Sequence, residues 1–137
     1  MPSVHDNIIL SYEVDLENER IRMRTRSYHS ELLSDDTDIL FSDVLAHSFD
    51  TPLQGSIIFD IDDVGLDCFI SYNRELLEKG KGQGWPIIYE TDEELETKLI
   101  EGKYLYFVIT SSYGLSGWVL AKKVEIITKM RNEQDEE

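Results

Sequence analysis

Hydrophobic and polar positions change their spacing along the chain, and each change marks a different kind of element. Ile8, Leu10, Tyr12 and Val14 alternate with Ile9, Ser11, Glu13 and Asp15, the period-two signature of a strand with one buried face. After the turn "DLENE", Ile21, Met23 and Thr25 alternate with Arg20, Arg22, Arg24 and Arg26, so the two runs read as an antiparallel hairpin. A third strand is expected in "DILFSDVLAHSF", where Ile39, Phe41, Leu45 and Phe49 share one parity. Asp43 and His47 interrupt that parity, which points to a bulge or an early strand end. "PLQG" then turns the chain into a fourth strand, Ser56 to Ile61.

From Leu66 the period lengthens. Leu66, Phe69, Ile70, Asn73, Leu76 and Leu77 form a helical stripe that Gly80 ends. The glycine-rich "GKGQGWP" connects it to a short extended segment, "IIYE". Thr91 and Glu94 have the spacing of a capping box, Asp92 and Glu93 suit the positive end of the helix they open, and Gly102 ends it. Period two then returns in "KYLYFVIT" and "GWVLAKKVEIIT", a hairpin joined through "SSYGLS". The order β-β-β-β-α-α-β-β predicts an α+β domain, a mainly antiparallel sheet of about six strands with two helices packed on one face.

The chain has 137 residues, one ordinary domain able to bury roughly two-thirds of its unfolded surface. Residues 1–128 are read as that domain and 129–137 as an acidic, disordered tail, since "NEQDEE" adds four carboxylates. No apolar run approaches the length of a bilayer span, and "MPSVHDN" has neither the basic nor the apolar region of a secretory signal. Cys68 is the only cysteine, which rules out an intrachain disulfide and a thiolate-rich metal site. A reducing cytoplasm is the expected compartment. The net charge of −15 changes the picture most. It repels phosphate backbones and anionic membranes, and it steers a basic protein toward the surface.

"SIIFDIDDVGLDCF" looks most like a chemical site. Read as a calcium loop from Asp60, it places Asp62 and Gly65 correctly but has Val64 and Ser71 where ligands are required. A strand-to-helix junction explains it better, with Asp62 or Asp63 capping a helix that begins near Val64 and Asp67 in its first turn. Gly114-Leu115-Ser116-Gly117-Trp118 departs from the G-x-S-x-G elbow and lies between strands, so its glycines are read as hairpin-loop residues; Tyr113 and Trp118 are an aromatic patch candidate. The arginines of "RIRMRTR" are expected to pair with Glu13, Asp15, Glu17 and Glu19 of the same hairpin. His5, His29 and His47 lack zinc spacing and are read as surface or edge residues. "GKGQG" lacks the order of a phosphate loop, and Cys68 is read as a structural thiol. No cofactor and no metal are expected.

"YEVDLENERIRMRT", "DILFSDVLAHSF", "GSIIFDI" and "SSYGLSGWVLAK", which span most of the length, resemble the small acidic bacterial immunity-type proteins that accompany polymorphic toxins. The resemblance implies a cytoplasmic protein that blocks a partner, often a basic nuclease toxin, through an acidic face, and it carries over no site residues. The leading expectation is a non-catalytic acidic protein-binding module. Its partner-facing residues are expected to be Asp62, Asp63, Asp67, Glu90, Asp92, Glu93 and Glu94. The alternative is a small-molecule-binding protein or enzyme with a pocket between sheet and helices, lined by Tyr104, Tyr106 and Trp85. A homodimer through an exposed strand edge is a third reading.

Overall fold

The computed structural model describes residues 4–28 and 33–132. It has the expected α+β class. Six antiparallel strands, β1 (Ile8–Asp15), β2 (Arg20–Tyr28), β3 (Leu33–Asp50), β4 (Ile57–Val64), β5 (Leu105–Tyr113) and β6 (Ser116–Asn132), are joined by three helices, α1 (Leu66–Tyr72), α2 (Arg74–Lys81) and α3 (Asp92–Glu101). The sheet closes on itself as a barrel in the order β1-β2-β3-β6-β5-β4. Closure rests on a short seam. Ile8 pairs with Ile57, Ile9 N–H donates to the Ser56 carbonyl (2.8 Å), and Ile58 N–H donates to the Asn7 carbonyl (2.9 Å).

Two cores follow from the alternation. Ile9, Ile21, Met23, Ile39, Phe41, Ile58, Phe107, Ile109, Val119 and Ala121 fill the barrel. Tyr106, Trp118, Leu120 and Ala46 point outward from β5, β6 and β3, where Phe69, Ile70, Leu77, Leu95 and Leu99 of the helices cover them. Strands covered on both faces read as near-continuous apolar runs, which accounts for "YLYFVI". Each large side chain so buried contributes about 1.5–3 kcal/mol.

The expected break in β3 is real and sits at Asp43, which adopts φ 55°, a conformation aspartate tolerates better than most residues. Ile39 and Phe41 point inward before it and Val44 after it. β6 shifts its alternation across the same step, with Val124 and Ile126 inward on one side and Val119 and Ala121 on the other. One residue further, Leu45 is an extra residue, since Val44 faces Ala121 while Ala46 already faces Leu120.

Three details differ from the sequence reading. The helical stripe is two helices, because the buried Asn73 turns its Nδ2 to the Phe69 carbonyl (2.9 Å) and the Tyr106 hydroxyl (3.2 Å), and its φ of −120° interrupts the ladder. The first of them starts at Leu66 behind Gly65, with no side-chain cap, so Asp62 and Asp63 belong to strand β4. β6 continues through 129–132; the remainder of the stretch read as a tail lies outside the described residues.

At Gly117 of β6 the backbone of β3 leaves no room for a side chain. A Cβ there would collide with the carbonyl oxygen of Ser48 and come 2.9 Å from the Phe49 Cα, and neither backbone group can yield. Gly117→Ala is therefore expected to cost about 1–3 kcal/mol. Urea denaturation should show a lower midpoint at unchanged slope. Gly82→Ala, where the Cβ position is open, should leave the midpoint level or raise it.

Candidate functional site

The arginine ladder of β2 does not pair where the sequence suggested. Arg22 donates to Asp38 of β3 through Nε (2.9 Å) and Nη2 (2.6 Å), and Arg26 donates to Asp36 through Nε (2.6 Å) and Nη2 (3.3 Å). Arg22 and Arg26 thus lean toward β3, away from β1. Asp15 is taken by Asn18, whose backbone N–H (3.1 Å) and Nδ2 (2.8 Å) donate to it; those bonds hold its carboxyl below the usual carboxylate range. Glu13 stands opposite Arg22 in the register but makes no ion pair among the described residues.

The seven acidic residues expected to face a partner fall into two groups. Asp62 and Asp63 lie at the end of β4 and Asp67 in the first turn of α1, all exposed. Glu90, Asp92, Glu93 and Glu94 gather at the start of α3. An ion pair from Arg74 Nη2 to Asp92 (2.6 Å) pins that start beside the first turn of α2. Asp67 stands at the opposite end of α1, a helix of seven residues about 10 Å long, from Arg74. Two of the carboxylates are already engaged. Arg74 lowers the Asp92 pKa. Glu94 accepts from Glu90 N–H (2.8 Å) and pairs with Lys98 (3.2 Å), and these contacts lower its pKa as well. The capping box is displaced by one residue: Thr91 Oγ1 accepts from Glu94 N–H (3.1 Å), while the Glu94 side chain reaches Glu90 instead of Thr91.

Tyr104, Tyr106 and Trp85 pack the interface of sheet and helices as part of its core. The Phe69 ring stands edge-on to Tyr106 and to Trp118, each at 5.2 Å, and Trp85 lies 6.1 Å from Trp118. Trp118 is therefore a core residue, and of the expected aromatic patch only Tyr113 is exposed. Cys68 packs, half-buried, against the same cluster. Gly80 lies against the Trp85 ring, so this glycine serves packing. His5 is exposed with its Nδ1 2.6 Å from the Phe59 carbonyl, and His29 lies outside the described residues. Among the described residues no three His, Cys, Asp or Glu side chains group as a metal site, and no helix is long and apolar enough to cross a membrane.

A concavity lies elsewhere, at the barrel seam. The extra residue Leu10 between Ile9 and Ser11 turns β1 away, so beyond Ile9 the strand is paired to β2 alone. Opposite it the chain runs through Pro52–Gly55, leaving a groove of ≈ 590 Å³ between Ile8–Tyr12 and Pro52–Ser56, with Leu115 against its floor. Leu10, Tyr12 and Leu53 stay 38%, 39% and 49% exposed there, and the Tyr12 ring meets Phe49 edge-on at 5.2 Å. Ser56 builds the far wall. Its hydroxyl donates to the Leu53 carbonyl (2.6 Å) and accepts from Leu115 N–H (2.9 Å). No spacing in the sequence announces this groove, because it arises where pairing stops.

No protein-family model matches this chain, and no curated protein does either.

Ser56→Ala would strand the buried Leu115 N–H and loosen the loop, at an expected cost of about 1–3 kcal/mol in chemical denaturation. A second expectation concerns His47, half-buried beside Phe49 (5.3 Å) in a small recess shared with Asp15, Glu19 and Arg20. Burial strips water from its imidazolium and lowers its pKa from 6.5. The unfolded chain then binds the proton more readily than the folded one, so the stability this histidine contributes falls as pH drops below about 6.5 toward its folded pKa. Thermal melts of His47→Gln should lose that part of the slope between about pH 7 and 5.

Proposed function

We propose that this chain is a non-catalytic acidic protein-binding module, of the immunity type, that engages a basic protein such as a toxin or nuclease. One observation carries the reading: in a chain of net charge −15, the exposed carboxylates of Asp62, Asp63, Asp67 and Glu93 form no ion pair with a described residue. Such groups raise the association rate of a basic partner and gain when its cations dock. Asp92 and Glu94 add charge at the start of α3 while holding α3 to α2 and to its own next turn. Glu90 adds its charge beside them.

The test is association of the captured partner with the purified chain, bound at low salt and released at high salt. Replacing Asp62 and Asp63, or Glu90 and Glu93, by Lys in pairs is expected to slow association about tenfold at low ionic strength and to flatten its salt dependence. Unchanged on-rates in both pairs would remove this surface from the reading.

A second reading, a small-molecule-binding protein or an enzyme, draws support from the seam groove, whose ≈ 590 Å³ falls within the range of ligand clefts. A thermal-shift screen with metabolites and metals addresses it, since a ligand specific to the folded chain raises its melting temperature.

A further inference from the structure

We infer that the groove beside β1 receives an extended segment of the basic partner as an added strand, antiparallel or parallel to β1, in which basic residues alternate with apolar ones. The inference rests on the basic-partner reading and assigns it a docking mode. Four observations lead to it. Beyond Ile9 the backbone groups of β1 that point away from β2 meet no strand among the described residues, and such an edge is a template for another strand. The groove runs along Ile8–Tyr12; Ile8 and Ile9 are held by the seam, so the edge open to an added strand is Leu10–Asp15, about 17 Å, enough to pair about five residues. Its two faces differ. Tyr12 and Val14 stand opposite the core residues Met23 and Ile21, so residues of an added strand on that side meet apolar surface. Ser11 and Glu13 stand opposite Arg24 and Arg22 on the outer side.

The fourth observation selects the charge of the occupant. Arg22 is drawn to Asp38, which leaves the Glu13 carboxylate at the open edge with no cation from the described residues. A Lys or Arg directly across from it on an added strand completes the pair. A second copy of this chain fits poorly, because its own β1 brings Glu13 and Asp15 against the same acidic row. The docked segment therefore carries Lys or Arg on the outer side and Val, Ile or Tyr on the inner side, in alternation.

The experiment uses the intact chain and a fluorescent synthetic peptide of about eight residues alternating Lys with Val, read by anisotropy. Binding at low salt is expected. The same peptide methylated on alternate backbone nitrogens should bind at least about tenfold more weakly, since two or three strand hydrogen bonds are lost. Glu13→Arg should weaken the unmodified peptide several-fold, whereas the same reversal on the far helix, Glu101→Arg, should not. Equal affinity for methylated and unmethylated peptides would mean that charge alone holds them. That result overturns the strand mode and leaves the basic-partner reading intact. Binding of neither peptide also overturns it; the Asp62, Asp63, Glu90 and Glu93 reversals, which do not involve the groove, then decide the broader reading separately. Dimerisation abolished by Glu13→Arg would assign the edge to a second copy, and an apolar dye held in the groove that the peptide does not displace would assign it to a small ligand. Either overturns the inference.

Discussion

The pairing of β3 with β6 is the constraint on which the other layers depend. These are the two longest strands, 18 and 17 residues, and they run side by side from Leu33–Asn132 to Asp50–Ser116. One half of the pair joins β2 and closes over the barrel interior. The other half joins β5 and carries the helices on its outer face. A straight ribbon cannot serve both layers, because alternation would send the same parity inward throughout. The shift at Asp43, the extra residue at Leu45 and the bare Cα of Gly117 together bend and re-phase the ribbon between its two duties.

Inside the barrel the packing is apolar except at one end, where Asn7 Nδ2 donates to Thr25 Oγ1 (2.9 Å), Thr25 Oγ1 donates to the Thr37 carbonyl (2.8 Å), and the Thr37 and Thr128 hydroxyls meet at 3.1 Å. This row crosses from the segment before β1 through β2 and β3 to β6. Each buried polar atom in it has a partner, so it fixes register at little cost. Register here matters, since a slip of one residue would turn the arginines of β2 inward.

Much of this was legible in the sequence. The period-two runs of β1, β2, β5 and β6 located those strands, the polar Asp43 in an apolar run located the break, and Thr91 with Glu94 located the start of α3. What escaped depends on contacts between distant residues. Closure is made by Asn7 and Ile9 against Ile58 and Ser56, residues that no local period singles out. Asn73 occupied a stripe position as any polar residue might, and only its bonds to Phe69 and Tyr106 reveal a helix break. Trp118 read as exposed because the helices that cover it are far away in the chain. The acidic candidates were visible as charge, but the arginines that engage Asp36, Asp38 and Asp92 were not assignable from spacing. The groove, a place where pairing ends, left no trace at all.

The brevity of the seam has a dynamic consequence. Every other strand boundary is a ladder of many rungs, whereas β1 and β4 are joined by a few bonds around Ile8 and Ile57. The least costly opening of such a barrel separates that boundary and leaves the remaining ladders whole. Among amides hydrogen-bonded between strands, exchange should therefore follow a gradient, faster at Ile9 and Ile58 of the seam and slowest along the middle of β3 and β6. The molecule behaves as a clasped sheet whose clasp is its weakest element.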